Sequence, residues 1–262
     1  MSKMIAIHSF RGGTGKSNLT ANLAVAIALQ GHRVAVVDTD LQSPGIHALF
    51  NIDDTRKHQT LNDYLWNHSS ISDAAWDCSS DLGIKGKGKV FLIPSSLNAN
   101  EIARIDSEGY KVSLLNSGFR RLIQDLQLDY LFIDTHPGIS RETLLSIAIS
   151  DLVLVILRPD RQDFQGTAVT VDVARQLTVQ NIMLVINKVP SKIDFCTLQQ
   201  QVEKTYQVPV AGHLPLVEDM ALLSSSGLFC LKYPTHPLTQ GFNQMAANIL
   251  NPQTYIAPIL CS

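Results

Sequence analysis

The stretch "SFRGGTGKSN", Ser9 to Asn18, decides the fold. It follows a short apolar run, "MIAIH" at 4–8, and leads into a helical stretch, "NLTANLAVAIALQG", that stops at Gly31. Glycines in such a loop let successive backbone N–H groups turn inward, and the start of the following helix adds partial positive charge. Strand, glycine-rich loop and helix in that order make a phosphate cradle. Gly12, Gly13, Thr14, Gly15, Lys16, Ser17 and Asn18 line it, with Lys16 placed to reach β- and γ-phosphates and the Ser17 hydroxyl to ligate Mg²⁺. A glycine turn that merely precedes a lysine is the plain alternative, and the coincidence of strand, loop, Gly-Lys-Ser and helix outweighs it. Phe10-Arg11 remains to be explained, because Phe10 stands where GxxxxGK[ST] begins with glycine.

Outward from this loop the chain alternates. Near-continuous apolar runs at 4–8, 33–38, 130–134, 152–157, 182–187 and 208–214 read as strands buried on both faces of a parallel sheet. Helical patterns lie between them, at roughly 16–30, 110–126, 140–149, 162–177, 194–205 and 235–250. This predicts an α/β fold, a doubly wound and mostly parallel sheet flanked by helices, as one domain over 1–262. Its ligand crevice lies along the carboxyl ends of the strands. The segment 51–109 is the least regular, with an amphipathic piece "LNDYLW" and an expected hairpin around "LGIKGKGKVFLIP". Lys85, Lys87 and Lys89 on it read as a solvated turn rather than an anion site.

Bulk properties narrow the function classes. The 262 residues are 45% hydrophobic and 17% charged, with a net charge of −2, so nothing draws the whole chain to nucleic acid or anionic lipid. Cysteines 78, 196, 230 and 261 are scattered, against a zinc site, a cluster scaffold or a disulfide frame, and consistent with a reducing cytoplasm. The apolar part of "MSKMIAIHSF" is too short for a signal-peptide core, and no run approaches the ~18 apolar residues of a spanning helix. A cytoplasmic protein is expected.

"RGGTGKS" resembles the deviant Walker A loop of the MinD/ParA ATPases, usually KGGxGK[ST]. In that family the first lysine reaches across a nucleotide-sandwich dimer to the partner's phosphates, and Arg11 occupies its position. Arginine is planar with several donors and not interchangeable with lysine, but it can serve in trans as an arginine finger does. The resemblance extends to "VVDTDLQSPG", where Asp40 would orient the attacking water and Asp38 would support the loop or the water shell of the metal. In "YLFIDTHPG", Asp134 would hold Mg²⁺-bound water, and Pro137-Gly138 would open a loop sensing the γ-phosphate. His136 in that loop is given no role. Asn187, ending "VINK", and Pro215, in "HLPLVEDM", match positions that contact adenine in the family. Pro190 stands where a guanine-reading NKxD has its Asp, which favours ATP over GTP.

The resemblance implies a slowly hydrolysing ATPase that forms a homodimer across bound ATP, with a protein partner that stimulates it or is positioned by it. Membrane docking through a basic terminal helix is disfavoured: no Lys or Arg follows Lys232, and Pro252 and Pro258 interrupt the tail. Nonspecific DNA binding would need a clustered patch, for which Arg104, Lys111, Arg120 and Arg121 are the candidates, and the overall charge does not support it. Iron–sulfur branches of the superfamily need paired cysteines that this spacing lacks, and tyrosine kinases need a tyrosine-rich tail where only Tyr255 lies. Two alternatives stay open. One is a metabolic ligase of the same fold that phosphorylates a carboxylate, with a pocket built partly from 51–109; the other is a nucleotide-binding regulator with little hydrolysis.

Overall fold

The computed structural model describes residues 2–52 and 59–251. From the N-terminus the elements are β1 (Lys3–His8), α1 (Lys16–Ala28), β2 (Arg33–Asp38), a 3-10 turn (Ile46–Phe50), α2 (Leu61–Leu65), β3 (Trp76–Asp77) and β4 (Lys89–Ile93). Next come α3 (Ala99–Glu108), α4 (Ser113–Asp125), β5 (Tyr130–Asp134), α5 (Arg141–Ala148), β6 (Leu152–Leu157) and α6 (Arg161–Gln176). β7 (Ile182–Val189), α7 (Phe195–Tyr206), β8 (Val210–Pro215), α8 (Glu218–Leu223), α9 (Phe229–Lys232) and α10 (Pro237–Leu250) complete the order.

The strands form one eight-stranded sheet, β3-β4-β2-β5-β1-β6-β7-β8. Every pairing is parallel except β3 with β4. Alternate residues of each strand feed opposite faces, as the two-residue period demands. Ile5, Ile7, Val34, Val36 and Phe132 pack with α1 and α10 on one face. On the other, Ala35, Val37, Leu131 and Ile133 meet α4, and Val153, Val155, Leu184 and Ile186 meet α6 and α7. Both faces are therefore covered, which is why these strands read as unbroken apolar runs. Eleven of the thirteen α1 residues are buried, so the phosphate loop rests on a helix enclosed by sheet and α10.

The predicted strands and helices fall within a few residues of their observed bounds. The 51–109 segment differs. The expected turn around "LGIKGKG" does connect an antiparallel pair, β3 and β4, but "KVFLI" (β4) makes its longer pairing with β2, parallel and in register from Arg33↔Lys89 to Val37↔Ile93. Only the two-residue β3 runs antiparallel beside it. Lys89 pairs with Asp77 at 2.9 Å, while Lys85 and Lys87 are exposed. α3, not expected, follows with Asn98 as its N-cap. No helix among the described residues is long and apolar enough to cross a membrane. The tail residues Pro252, Tyr255, Pro258 and Cys261 lie outside the described residues.

Candidate functional site

The carboxyl ends of β1, β2, β5, β7 and β8 share one edge of the sheet, and each contributes residues to one crevice. After β1 the chain passes through left-handed conformations at Gly13 (φ 75°) and Gly15 (φ 92°), a region that side chains rarely adopt. Gly15 N-caps α1 without any side-chain cap, so the first N–H groups of that helix are left for an anion. The loop is fastened from outside by Asn187, whose Nδ2 donates to the Thr14 carbonyl (2.7 Å), and by Lys188, whose Nζ donates to the Gly13 carbonyl (2.8 Å). The Thr14 hydroxyl is buried with no hydrogen-bond partner.

Beneath the loop lies a buried charge cluster. Asp38 and Asp134 are register partners at the ends of β2 and β5, so their side chains leave the sheet together. Lys16 Nζ reaches Asp134 Oδ1 at 3.0 Å, both groups buried, and the Thr20 hydroxyl lies 3.2 Å from the same oxygen. Burial first, and then the neighbouring Asp134, push the Asp38 carboxyl well above the usual carboxylate range. Asp38 is also a brace, accepting the Asp40 N–H (3.0 Å) and the Gly45 N–H (3.3 Å). Two carboxylates and the half-buried Ser17 hydroxyl make a hard-oxygen set of the kind Mg²⁺ takes. The unpartnered Thr14 hydroxyl and the uncapped helix start fit a phosphate.

Asp40 lies on the turn after β2 and accepts a hydrogen bond from Nδ1 of His136 at 2.7 Å. At the mouth of the loop Arg11 turns away from this cluster. Its guanidinium donates to Gln162 at the start of α6 and stands 4.0 Å from Asp163. Burial would raise the Asp163 carboxyl, but hydrogen bonds from Arg158, helped by Arg11, hold it below the ordinary range. Phe10 explains its own presence: its ring fills the notch over Gly166 of α6, where an added Cβ would sit 2.5 Å from a ring carbon.

A cavity of about 250 Å³ opens on the other side of Gly15. Gly15, Asn18 and Asn187 form its polar end; Pro215, Leu214, Met220 and Phe242 form its apolar walls. An apolar slot with a few polar groups beside a phosphate cradle suits a purine base.

Residues 5–229 match the family described as the CobQ/CobB/MinD/ParA nucleotide binding domain. The chain belongs to this family. Its curated relatives include an uncharacterized ATP-binding protein of Methanocaldococcus jannaschii, 28% identical over 95% of this chain and 88% of that protein. A cytosolic Fe-S cluster assembly factor of Candida glabrata is 24% identical, covering 81% and 75% of the two chains. Among solved structures, the cell division ATPase MinD of Pyrococcus furiosus superposes with a TM-score of 0.78 at 21% identity, covering 96% of this chain and all of that one (100%). The septum site-determining protein MinD of Pyrococcus horikoshii, solved with Mg-ADP, gives 0.77 at 19% identity, covering 97% and 98%. At these identities the structural likeness is one of fold.

As a CobQ/CobB/MinD/ParA domain, the chain brings Gly12 through Asn18, Asp38 and Asp134 to one end of the crevice, with Asn187 and Pro215 lining the cavity beyond Gly15. Asp40 joins His136 rather than Lys16, and Arg11 lies at the outer rim. Three of the four basic candidates are engaged locally: Arg104 stacks over Trp66 and pairs with Glu108, Arg121 pairs with Asp125, and Arg120 donates to Asn116. Sequence reasoning missed Thr20, although its place one turn after Lys16 puts both on one face of α1. It also missed Lys188, Gln162 and Gly166, whose contacts span more than 150 residues and leave no local signal.

Proposed function

We propose that the chain is an ATP-dependent dimerisation switch, slowly hydrolysing, that acts in the cytoplasm to position or regulate a protein cargo or assembly. The observation that carries this reading is the contrast between its two loop cations. Lys16 is buried on Asp134, inside the cradle; Arg11 is 43% exposed and rests on α6, outside its own phosphate site. A cation so placed is suited to the phosphates of a second copy.

On this reading Gly12–Ser17 bind the phosphates through backbone N–H groups, and Lys16 supplies charge to the β- and γ-oxygens. Ser17 and Asp134 would hold Mg²⁺, with Asp38 bracing the loop; when bound, the ion would neutralise charge on the phosphates. Asp40 orients the attacking water, and Asn187 with Pro215 receives adenine. Cluster carriage, suggested by the Fe-S assembly relatives, gains no support from the cysteines at 78, 196, 230 and 261.

The test is the solution mass of Asp40→Ala by light scattering, with and without Mg·ATP, beside Asp40→Ala/Arg11→Ala. ATP should double the mass, and loss of Arg11 should abolish the doubling. A mass fixed at one chain while ATP still binds would sink the switch.

One feature favours a second reading, the carboxylate-phosphorylating ligase. A separate cavity of about 250 Å³ lies beside His136, lined also by Gln42, Ile105, Asp106 and Gly109, so the 51–109 segment supplies one wall. ADP release that depends on an added carboxylic acid would select it. ATP binding without hydrolysis would select the third reading, a regulator.

A further inference from the structure

Asp40 sits two residues beyond β2, on a turn that does little to hold its carboxylate. Oδ1 accepts the Ser43 N–H at 3.1 Å and Nδ1 of His136 at 2.7 Å, and Oδ2 takes no hydrogen bond from the described residues. Ser43 belongs to the same turn, so its N–H moves with Asp40. His136 belongs to a different loop, between β5 and α5, and that loop is fixed at several points. The Gly138 N–H donates to the Ser9 carbonyl at 3.2 Å, tying it to the start of the phosphate loop. The Thr143 hydroxyl donates to the His136 carbonyl at 3.3 Å, and Ser140 caps α5 by accepting the Thr143 N–H at 3.2 Å. The imidazole is thus the side chain that joins Asp40 to the scaffold carrying Asp134.

We infer that His136 is a positioning residue: its Nδ1–H fixes the Asp40 carboxylate so that Oδ2 faces the water attacking the γ-phosphate. This rests on Asp40 as the water-orienting group, as read above. A carboxylate oxygen can only accept, so the contact selects an imidazole with its hydrogen on Nδ1. Side-chain exposures of 33% for His136 and 14% for Asp40 leave the pair open to solvent on one side, as an attacking water requires. Without this contact Asp40 is free to change rotamer, and a reacting group displaced by about 1 Å costs up to ~100-fold in rate. ATP affinity is set elsewhere, by Gly12–Ser17 and the base cavity, so the loss should fall on kcat and spare KM.

The test compares steady-state Mg·ATP hydrolysis and the Kd of a fluorescent ATP analogue across wild type, Asp40→Ala, His136→Ala, His136→Asn, His136→Gln and the double variant Asp40→Ala/His136→Ala. The amide nitrogen of Asn overlays Nδ1, while that of Gln overlays Nε2. His136→Ala and His136→Gln should lose roughly 10- to 100-fold in kcat with KM and Kd within about twofold, and His136→Asn should recover most of the rate. The double variant should be no slower than Asp40→Ala alone. The inference is overturned if His136→Ala keeps the wild-type kcat, if Asn rescues no better than Gln, or if the double variant falls far below Asp40→Ala. Should His136→Ala fail to fold, the Asn–Gln contrast decides by itself. A wild type that binds ATP without hydrolysing it overturns the underlying reading of Asp40 and this inference with it. An active wild type indifferent to position 136 overturns this inference alone.

Discussion

At the phosphate end of the crevice Lys16, Thr20, Asp38 and Asp134 are buried polar groups that depend on one another. At the base end, Leu214, Met220, Leu238 and Phe242 form apolar walls with Asn18 and Asn187 at one edge. Removing one member of a buried charge cluster leaves the others uncompensated, which costs several kcal/mol or shifts protons. Removing atoms from an apolar wall costs only in proportion to the area lost. The phosphate end should therefore fail abruptly and the base end by degrees.

The strongest way to break that contrast is Lys16→Met. It removes the cation from between two carboxylates and a bound nucleotide, and ATP hydrolysis should fall at least ~100-fold, read by phosphate release. A rate near wild type would mean that the cluster is structural only. Gly15 is the joint between the two ends. In Gly15→Ala the new Cβ would lie 2.5 Å from Asn187 Nδ2, at a φ of 92° that alanine resists. The fold should lose about 1–3 kcal/mol in urea unfolding, and nucleotide binding should weaken with it. Unchanged stability would show that Asn187 yields freely, making the two ends independent.

His8 sharpens the picture from behind the phosphate end. Burial, then Lys16 and then His136 push its imidazole down from 6.5 to about 3. The unfolded chain takes up this proton near pH 6.5, and the fold refuses it until about pH 3. The stability it contributes is thus complete above 6.5 and lost as the pH falls through that window, at up to ~1.4 kcal/mol per pH unit. His8→Asn should flatten the acid limb of stability measured by urea unfolding between about pH 7 and 4.5. An unchanged slope would place the titrating group elsewhere. The smallest effect belongs to the base end: Met220→Ala should weaken nucleotide binding about two- to tenfold by calorimetry, the worth of a few methylenes, with hydrolysis at saturation unchanged. A loss as large as that of Lys16→Met would erase the distinction.

How far each end could be read in advance follows the same division. The phosphate end is local: Gly13, Gly15 and Lys16 lie within four consecutive positions between a strand and a helix, and "YLFID" ends in its own carboxylate. The base end is assembled from β7, β8, α8 and α10. Asn187 and Pro215 were singled out by resemblance and line the cavity there, whereas Met220, Leu238 and Phe242 look like any core residues until the chain is folded. β4 was read only as one arm of a hairpin, which its short antiparallel pairing with β3 provides; its longer pairing was missed because β2 lies more than fifty residues earlier and no short-range pattern records it.

By itself the amino-acid order determined the alternation of strands and helices, the position of the phosphate loop and the two acidic strand ends, Asp38 and Asp134, since each depends on neighbours within one turn or one strand. Tertiary structure alone decided that Phe10 seats on Gly166, that Arg11 rests on Gln162 rather than over its own cradle, and that His136 reaches Asp40. Those contacts join the phosphate loop to α6 and the turn after β2 to the loop after β5, segments about 95 to 155 positions apart in sequence that only the closing of a parallel sheet brings to a common edge.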